Sequence, residues 1–330
     1  MIRFLRRNEI YIWFLFTIFY SIFYVIDLFN NEKYNVVSFY SFIDSLFINI
    51  NNFKVLSLLL SFAFNIIIAS LILNLSIEFL IIPNKNYMLV VFYYIITGVV
   101  QFYHYFHPIH ISLILLILIL KSLFSSSRIN KFSTIFFDTG LLAGISFIIY
   151  YPSWIFLVII FIGLIFFRNF DWREWFTAIF GFITPLILVL TYIYVFDKDL
   201  SIIDLFKSIV KDKILLSPIK IGFLIYSFFI SFICMLNNAN KIHTLKIITR
   251  KTISFFIVNF IFVSSVILLF FVPEFSKLLI LVAVINFLFI TTYYFTTCNV
   301  NRFNNIILVI FIVSPLFIYF IDNFKVFYTK

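Results

Sequence analysis

The chain is poor in the residues by which most enzymes and metalloproteins announce themselves. Its two cysteines, Cys234 and Cys298, stand far apart in apolar stretches, so neither a disulfide framework nor a cysteine zinc site has the spacing it needs. Glycine (6) and proline (7) are scarce. No Gly-rich phosphate loop, dinucleotide fingerprint, GxSxG elbow, HExxH helix or CxxC pair occurs, which argues against P-loop ATPases, serine hydrolases and zinc proteases. Charge is low too: Asp, Glu, Lys and Arg make up 12% of the residues, and no apolar stretch carries the row of ionisable groups expected of an ion pump. The net +10 is scattered over connections rather than gathered into a patch, so it does not read as a nucleic-acid surface.

What is present is hydrocarbon. Of 330 residues, 64% are hydrophobic and 51 are Phe, a bias that makes any single Phe uninformative. A helix needs roughly 20 apolar residues to cross a bilayer, and runs of that kind recur from end to end. Only helices or closed barrels satisfy their backbone in lipid. The expectation is an all-α, polytopic transmembrane bundle of about 10–12 spans, with residues 1–330 as a single integral membrane domain. Spans are expected near 10–29, 55–82, 87–103, 108–124, 135–150, 152–167, 175–196, 219–236, 252–272, 275–297 and 304–321, with 135–150 and 152–167 short enough to be halves of a pair bent at Tyr150-Tyr151-Pro152. The first run follows Arg3, Arg6 and Arg7 and is too long for a secretion signal; it reads as a retained first helix.

Orientation follows from Lys and Arg. With the N-terminus inside, the inner connections hold 14 of the 24 basic residues against three acids, Glu9, Asp171 and Glu174, whereas the outer ones mix ten basic residues with eight acidic ones. The outer face then carries two long connections, each with a stretch of amphipathic spacing, 38–51 and 201–216, expected to lie at the interface as short helices.

Ionisable groups in such a chain are the candidates for chemistry. QFYHYFHPIHIS, residues 101–112, holds His104, His107 and His110 at a spacing of three. Pro108 disfavours a continuous helix there, so the stretch reads as a polar turn near the outer headgroups, lacking a local Asp, Glu or Cys to complete a metal site. Asp27, near the outer end of the first span and without a local cation, is the best single candidate for a catalytic carboxylate. Glu78 and Asp138 can reach Lys85, Lys121 or Lys131 and read as structural.

HPIHISLILLILIL (107–120) and FFDTGLLAGISFIIYYPSWIFLVIIFIGLIFFRNFDWREWFTAIFGFITP (136–185) resemble a family of bacterial inner-membrane proteins that is known as a domain of unknown function, some members being labelled carotene-cleaving oxygenases. The resemblance implies a multi-pass protein of the bacterial inner, cytoplasmic membrane. A looser resemblance links the first outer loop with Asp27, Glu32 and Asp44, the helix expected at 38–51, and AGISFIIYYPSWIF (143–156) to multi-span polyprenyl-phosphate-sugar glycosyltransferases. It implies a lipid-linked substrate handled at the outer interface, among membrane lipids and without nucleic acid. In that reading Asp27 or Asp44 deprotonates the acceptor or binds a metal, and His104 or His107 with Lys54 neutralises the departing lipid phosphate. Tyr150 and Tyr151 line the same face. No cofactor or metal is assigned. Two other readings stay open: a non-catalytic assembly or scaffold subunit, and a His-iron oxygenase, which needs several imidazoles around one iron from a chain that has four.

Overall fold

The computed structural model describes residues 1–6, 10–29, 44–83, 86–100, 103–127, 133–167, 172–195, 218–242, 245–269 and 273–328. Among them the regular structure is all helix, with no strand. A first turn, α1 (Ile2–Leu5), leads to α2 (Ile10–Phe29), a short α3 (Asp44–Asn51), α4 (Lys54–Glu78), α5 (Met88–Val99) and α6 (Pro108–Ser126). Then come α7 (Ser133–Ile149), a 3-10 turn (Tyr151–Trp154), α8 (Ile155–Phe167), α9 (Trp172–Val195), α10 (Pro218–Lys241), α11 (Ile247–Leu269), α12 (Pro273–Thr297) and α13 (Arg302–Tyr328).

Eight of the described helices are long and apolar enough to cross a membrane, and three more apolar helices are shorter. The protein is therefore an all-α polytopic bundle. The helix expected at 38–51 is present over Asp44–Asn51; the one expected at 201–216 lies outside the described residues. The break expected at Tyr150-Tyr151-Pro152 is real, because Pro152 opens a 3-10 turn between α7 and α8.

The third expected span departs from its range, 87–103. Helix α5 has 12 residues, about 18 Å at 1.5 Å per residue, against a hydrocarbon core of about 30 Å. All 12 are buried, so α5 is wrapped by protein on every side. The chain then leaves helical form at Val100. Irregular backbone at membrane depth is tolerated where protein encloses it, and here α2, α4, α6 and α13 do so.

Two features fix how closely helices approach. On α7, Gly140 and Gly144 face α9: a Cβ on Gly140 would stand 2.1 Å from the Ala178 carbonyl oxygen, and one on Gly144 2.4 Å from that of Phe182. Gly181 of α9 returns the relationship against Phe137 O at 2.2 Å. This is backbone-to-backbone packing of the small-xxx-small kind, which replaces the missing hydrophobic drive between helices in lipid. At the end of α5, a Cβ on Gly98 would meet the Phe23 ring at 2.8 Å. That bare backbone lets the end of α2 lie directly on the end of α5.

The two ends of the bundle are tied differently. At one, Arg6 donates to the last carbonyls of α12, Phe295 O (2.8 Å) and Cys298 O (2.5 Å), as cations do at helix C-termini, and Glu78 pairs with Lys121 at 2.8 Å. At the other, Lys54 Nζ donates to Leu28 O at the close of α2 (3.0 Å). The candidate site sits at that second end.

Candidate functional site

Tyr20, Tyr24 and Asp27 recur at i, i+4 and i+7 on α2, the spacing of one helix face, and all three are buried. On α4 the matching polar row is Ser57, Ser61 and Asn65, each with no exposed surface. The irregular segment after α5 is pressed between these rows and α13.

Asp27 is the centre of the arrangement. Its Oδ2 accepts a hydrogen bond from His104 Nδ1, and its Oδ1 accepts one from the Tyr319 hydroxyl of α13. Asp27 and His104 both have zero exposure. The imidazole is walled by aromatic rings, the nearest being Tyr24 at 4.8 Å between centroids, with Tyr319 at 5.9 Å and Phe23 at 6.3 Å. Its backbone is held as well, since Ser61 Oγ donates to the His104 carbonyl. With Nδ1–H given to Asp27, the other ring nitrogen of a neutral imidazole is an acceptor, and His104 Nε2 is buried with no hydrogen-bond partner. An unpaired buried polar atom costs about 1–3 kcal/mol; Ser146 Oγ, Asn259 Oδ1 and Thr292 Oγ1 share this state among the described residues, but only His104 Nε2 belongs to an ionisable group held by a carboxylate.

The other two histidines have different work. His107 is the N-cap of α6: its Nδ1 accepts the Ile109 N–H (3.1 Å), and His110 Nδ1 reaches back to accept the His107 N–H (3.3 Å). This is a capping box built from imidazoles, with Pro108 at N1 where its missing N–H goes unnoticed. His110 Nε2–H then donates to Tyr103 O (3.2 Å), and its ring stacks on Tyr103 at 4.2 Å. The spacing of three is thus explained for 107 and 110 by helix initiation, in which His104 takes no part.

The sequence reading needs three corrections here. The histidine turn is not a wet loop near headgroups: His104 and His110 have zero exposure and His107 has 4%, because Asp27, Asn65 and the turn's own backbone supply the partners that water would have given. His107 does not join Asp27; its ring lies edge-on to Tyr150 at 5.3 Å. Tyr150 and Tyr151 are buried, Tyr151 against Phe147 at 4.6 Å, so they form a second locus beside His107 rather than part of the Asp27–His104 contact. Lys54 does stand at the right end, bonded to the carbonyl that follows Asp27. The side chain of Asp44, at the start of α3, lies outside the described ones, as does His243.

Iron held by several histidines does not fit these residues. His104 Nδ1 faces Asp27, His107 Nδ1 caps α6 and both His110 nitrogens are engaged, so the three rings do not converge. Among the described residues no three of His, Cys, Asp and Glu come together to hold a metal ion.

A network unseen in the sequence surrounds the pair. Asn65 Nδ2 donates to Tyr24 OH (3.1 Å), Tyr93 OH donates to Asn65 Oδ1 (2.6 Å) and meets Tyr103 OH (3.1 Å), and Tyr20 OH meets Tyr24 OH (3.2 Å). Helix α3 folds over the turn: Phe47 stacks on Phe106 at 5.2 Å, and Asn51 Nδ2 donates to Phe106 O at 2.9 Å. The seven-residue rhythm Tyr20–Tyr24–Asp27 was the available signal for Tyr24; nothing near Tyr319 in the sequence points to Asp27.

Fold and site together define a polytopic membrane protein with an enclosed Asp–His–Tyr centre at one end of its bundle. Comparison of the chain with protein-family models, curated proteins and solved structures finds no match in any of the three.

Proposed function

We propose that the chain is a multi-pass enzyme of the bacterial inner membrane that transfers a sugar from a polyprenyl-phosphate donor to a hydroxyl acceptor at the outer end of the bundle, with Asp27 and His104 as its acid–base pair. The observation that carries the reading is the bare, buried Nε2 of an imidazole whose other nitrogen is held by a carboxylate. That is the arrangement of a general base: the carboxylate fixes the tautomer and stabilises the imidazolium that forms. His104 Nε2 takes the acceptor's hydroxyl proton as that oxygen bonds to the sugar's anomeric carbon. The bond from that carbon to the phosphate oxygen breaks, and the lipid phosphate leaves with the electron pair. The proton rests on His104, balanced by Asp27, which Tyr319 keeps in place. Lys54 supplies positive charge for the phosphate at the same end. The acceptor reaches Nε2 when the Tyr24 or Phe23 ring swings aside.

A second reading, a non-catalytic assembly subunit, is favoured by the enclosure itself. Asp27 fastens α2 to the α5–α6 turn and to α13 in one stroke, as a clamp between helices would.

The test uses membranes containing the full chain, supplied with polyprenyl-phosphate [14C]glucose, with movement of label from the organic to the aqueous phase as readout. The wild type moves label, and His104→Gln and Asp27→Asn at equal folded abundance lose at least about 100-fold, the usual contribution of a positioned acid–base group. Equal transfer by wild type and both variants, or no transfer by any of them, contradicts the enzymatic reading and leaves the clamp.

A further inference from the structure

Helix α3 is joined to the bundle by little. It buries Phe47 against Phe106, with Leu60, Phe64 and Ile111 packed around them, in a small apolar cluster separate from the main core. Two residues, Asn52 and Phe53, link it to α4, and Phe53 is exposed with an extended backbone (φ −100°, ψ 92°). An element with few buried apolar contacts opens at lower free energy than the core beneath it.

What α3 holds is the histidine segment. The Phe106 N–H donates to Ser57 Oγ (2.9 Å), Ser57 Oγ donates to Asn51 Oδ1, and Asn51 Nδ2 donates to Phe106 O (2.9 Å). These three bonds close a ring through which Asn51, the last residue of α3, helps satisfy both backbone polar groups of Phe106. Ser61, one turn along α4 from Ser57, binds the His104 carbonyl in the same way. The irregular stretch that carries His104 is thus pinned along α4, and the pin at its Phe106 end depends on α3.

Resting on the reading of His104 as a base that a reactant must reach, we infer that α3 is the lid of that site and that the Asn51–Ser57–Phe106 ring is its latch. With α3 closed, Asp27 and His104 have zero exposure and nothing reaches Nε2. When Asn51 lets go, Phe47 leaves Phe106 and the segment around Phe106 comes away from α4. The His104 ring then has the room in which the Tyr24 or Phe23 ring beside it swings aside. The other walls serve this purpose badly: parting α2 or α13 from the centre breaks the bonds of Asp27 to His104 or Tyr319, whereas opening at α3 leaves both intact. A lid of this kind admits a reactant and then shuts water out while the assembled pair stays in place.

The experiment treats the full chain in phosphatidylcholine nanodiscs with diethyl pyrocarbonate, which acylates unprotonated imidazole nitrogen, and follows the modified fraction of His104 by mass spectrometry. Neither a sugar donor nor transfer enters it, so the lid and the transferase reading fail separately. Asn51→Ala, shown by thermal melting to fold, is expected to be modified at His104 on the order of 5–30-fold faster than wild type, the change in an opening equilibrium that one or two lost hydrogen bonds bring. Phe47→Cys with Phe106→Cys, in a Cys234→Ser and Cys298→Ser background and bridged by a short bis-methanethiosulfonate, is expected to resist modification until dithiothreitol cleaves the bridge. If Asn51→Ala does not fold, the bridged protein decides alone, before and after cleavage. Equal rates for wild type and Asn51→Ala, equal rates for bridged and cleaved protein, or no modification of His104 in any of them overturns the lid.

Discussion

Asp27 and His104, 77 residues apart, meet with no exposed surface on either residue, and the carboxylate that accepts from His104 Nδ1 accepts on its other oxygen from Tyr319 of the last helix. Three separate parts of the chain, α2, the segment after α5, and α13, are joined at one side chain. The short α5 makes this possible. A helix carried on to residue 103 would turn the histidine segment toward the interface, whereas ending at Val99 leaves irregular backbone at the depth of Asp27.

Breaking that junction is expected to be costly and non-additive. Removing one partner of a buried pair typically costs about 3–5 kcal/mol, since the survivor is left uncompensated. Asp27→Asn and His104→Gln are therefore each strongly destabilising in denaturant titrations in mixed micelles, and the double variant is destabilised by less than their sum. Tyr319→Phe removes one hydrogen bond to the carboxylate and costs about 1.5–3 kcal/mol. Additive effects of Asp27→Asn and His104→Gln would show that the two side chains do not interact.

The α7–α9 contact makes an opposite prediction for glycines that look alike in the sequence. Gly140→Ala or Gly181→Ala drives a methyl group into a carbonyl oxygen 2.1–2.2 Å away, and overpacking of this kind costs typically about 1–3 kcal/mol. Gly222, in α10, has nothing within 4 Å of its Cβ position. Gly222→Ala is expected to be neutral or to stabilise by up to about 1 kcal/mol through helix propensity. Thermal melts of the three variants side by side check the contrast.

The cover formed by α3 is expected to open on its own. Asn51→Ala removes its bonds to Phe106 O and Ser57, each worth about 1 kcal/mol, and Phe47→Ala removes the stack on Phe106. Both variants should raise hydrogen exchange in residues 44–51 while exchange within α5 stays slow. Equal acceleration in both places would mean that α3 is integral to the core.

At the other end, Glu78 and Lys121 pair at 2.8 Å with side chains 43% and 52% exposed. Exposed ion pairs contribute about 0–1 kcal/mol, so Glu78→Gln should shift the melting midpoint little. A large loss would indicate that lipid shields the pair.

The bundle itself was legible from apolar run length, because crossing a bilayer imposes a length that composition cannot hide. Each of the eleven expected spans overlaps a described helix; the third, expected to run on to residue 103, stops at Val99, because periodicity cannot tell a helix from buried irregular chain of the same polarity. Asp27 stood out from the sequence, since an unpaired acid in an apolar run needs an explanation. His104 stood beside it as one of two alternatives; Tyr319 did not, for it is 292 residues away and no local pattern links them. The histidine triplet was legible as a group and misleading as one, for His107 and His110 serve the start of α6, and of the three only His104 meets Asp27.

The most direct test of the Asp27–His104 assignment is the protonation of that ring, read by solid-state 15N NMR of histidine-labelled protein in bilayers at neutral pH, with His104→Gln to assign the signal. The account predicts the ring proton on Nδ1, toward Asp27, with Nε2 bare and free to accept. A His104 resonance with the proton on Nε2 and Nδ1 bare would contradict it, because Asp27 would then hold no proton of the ring and His104 would have no base to present.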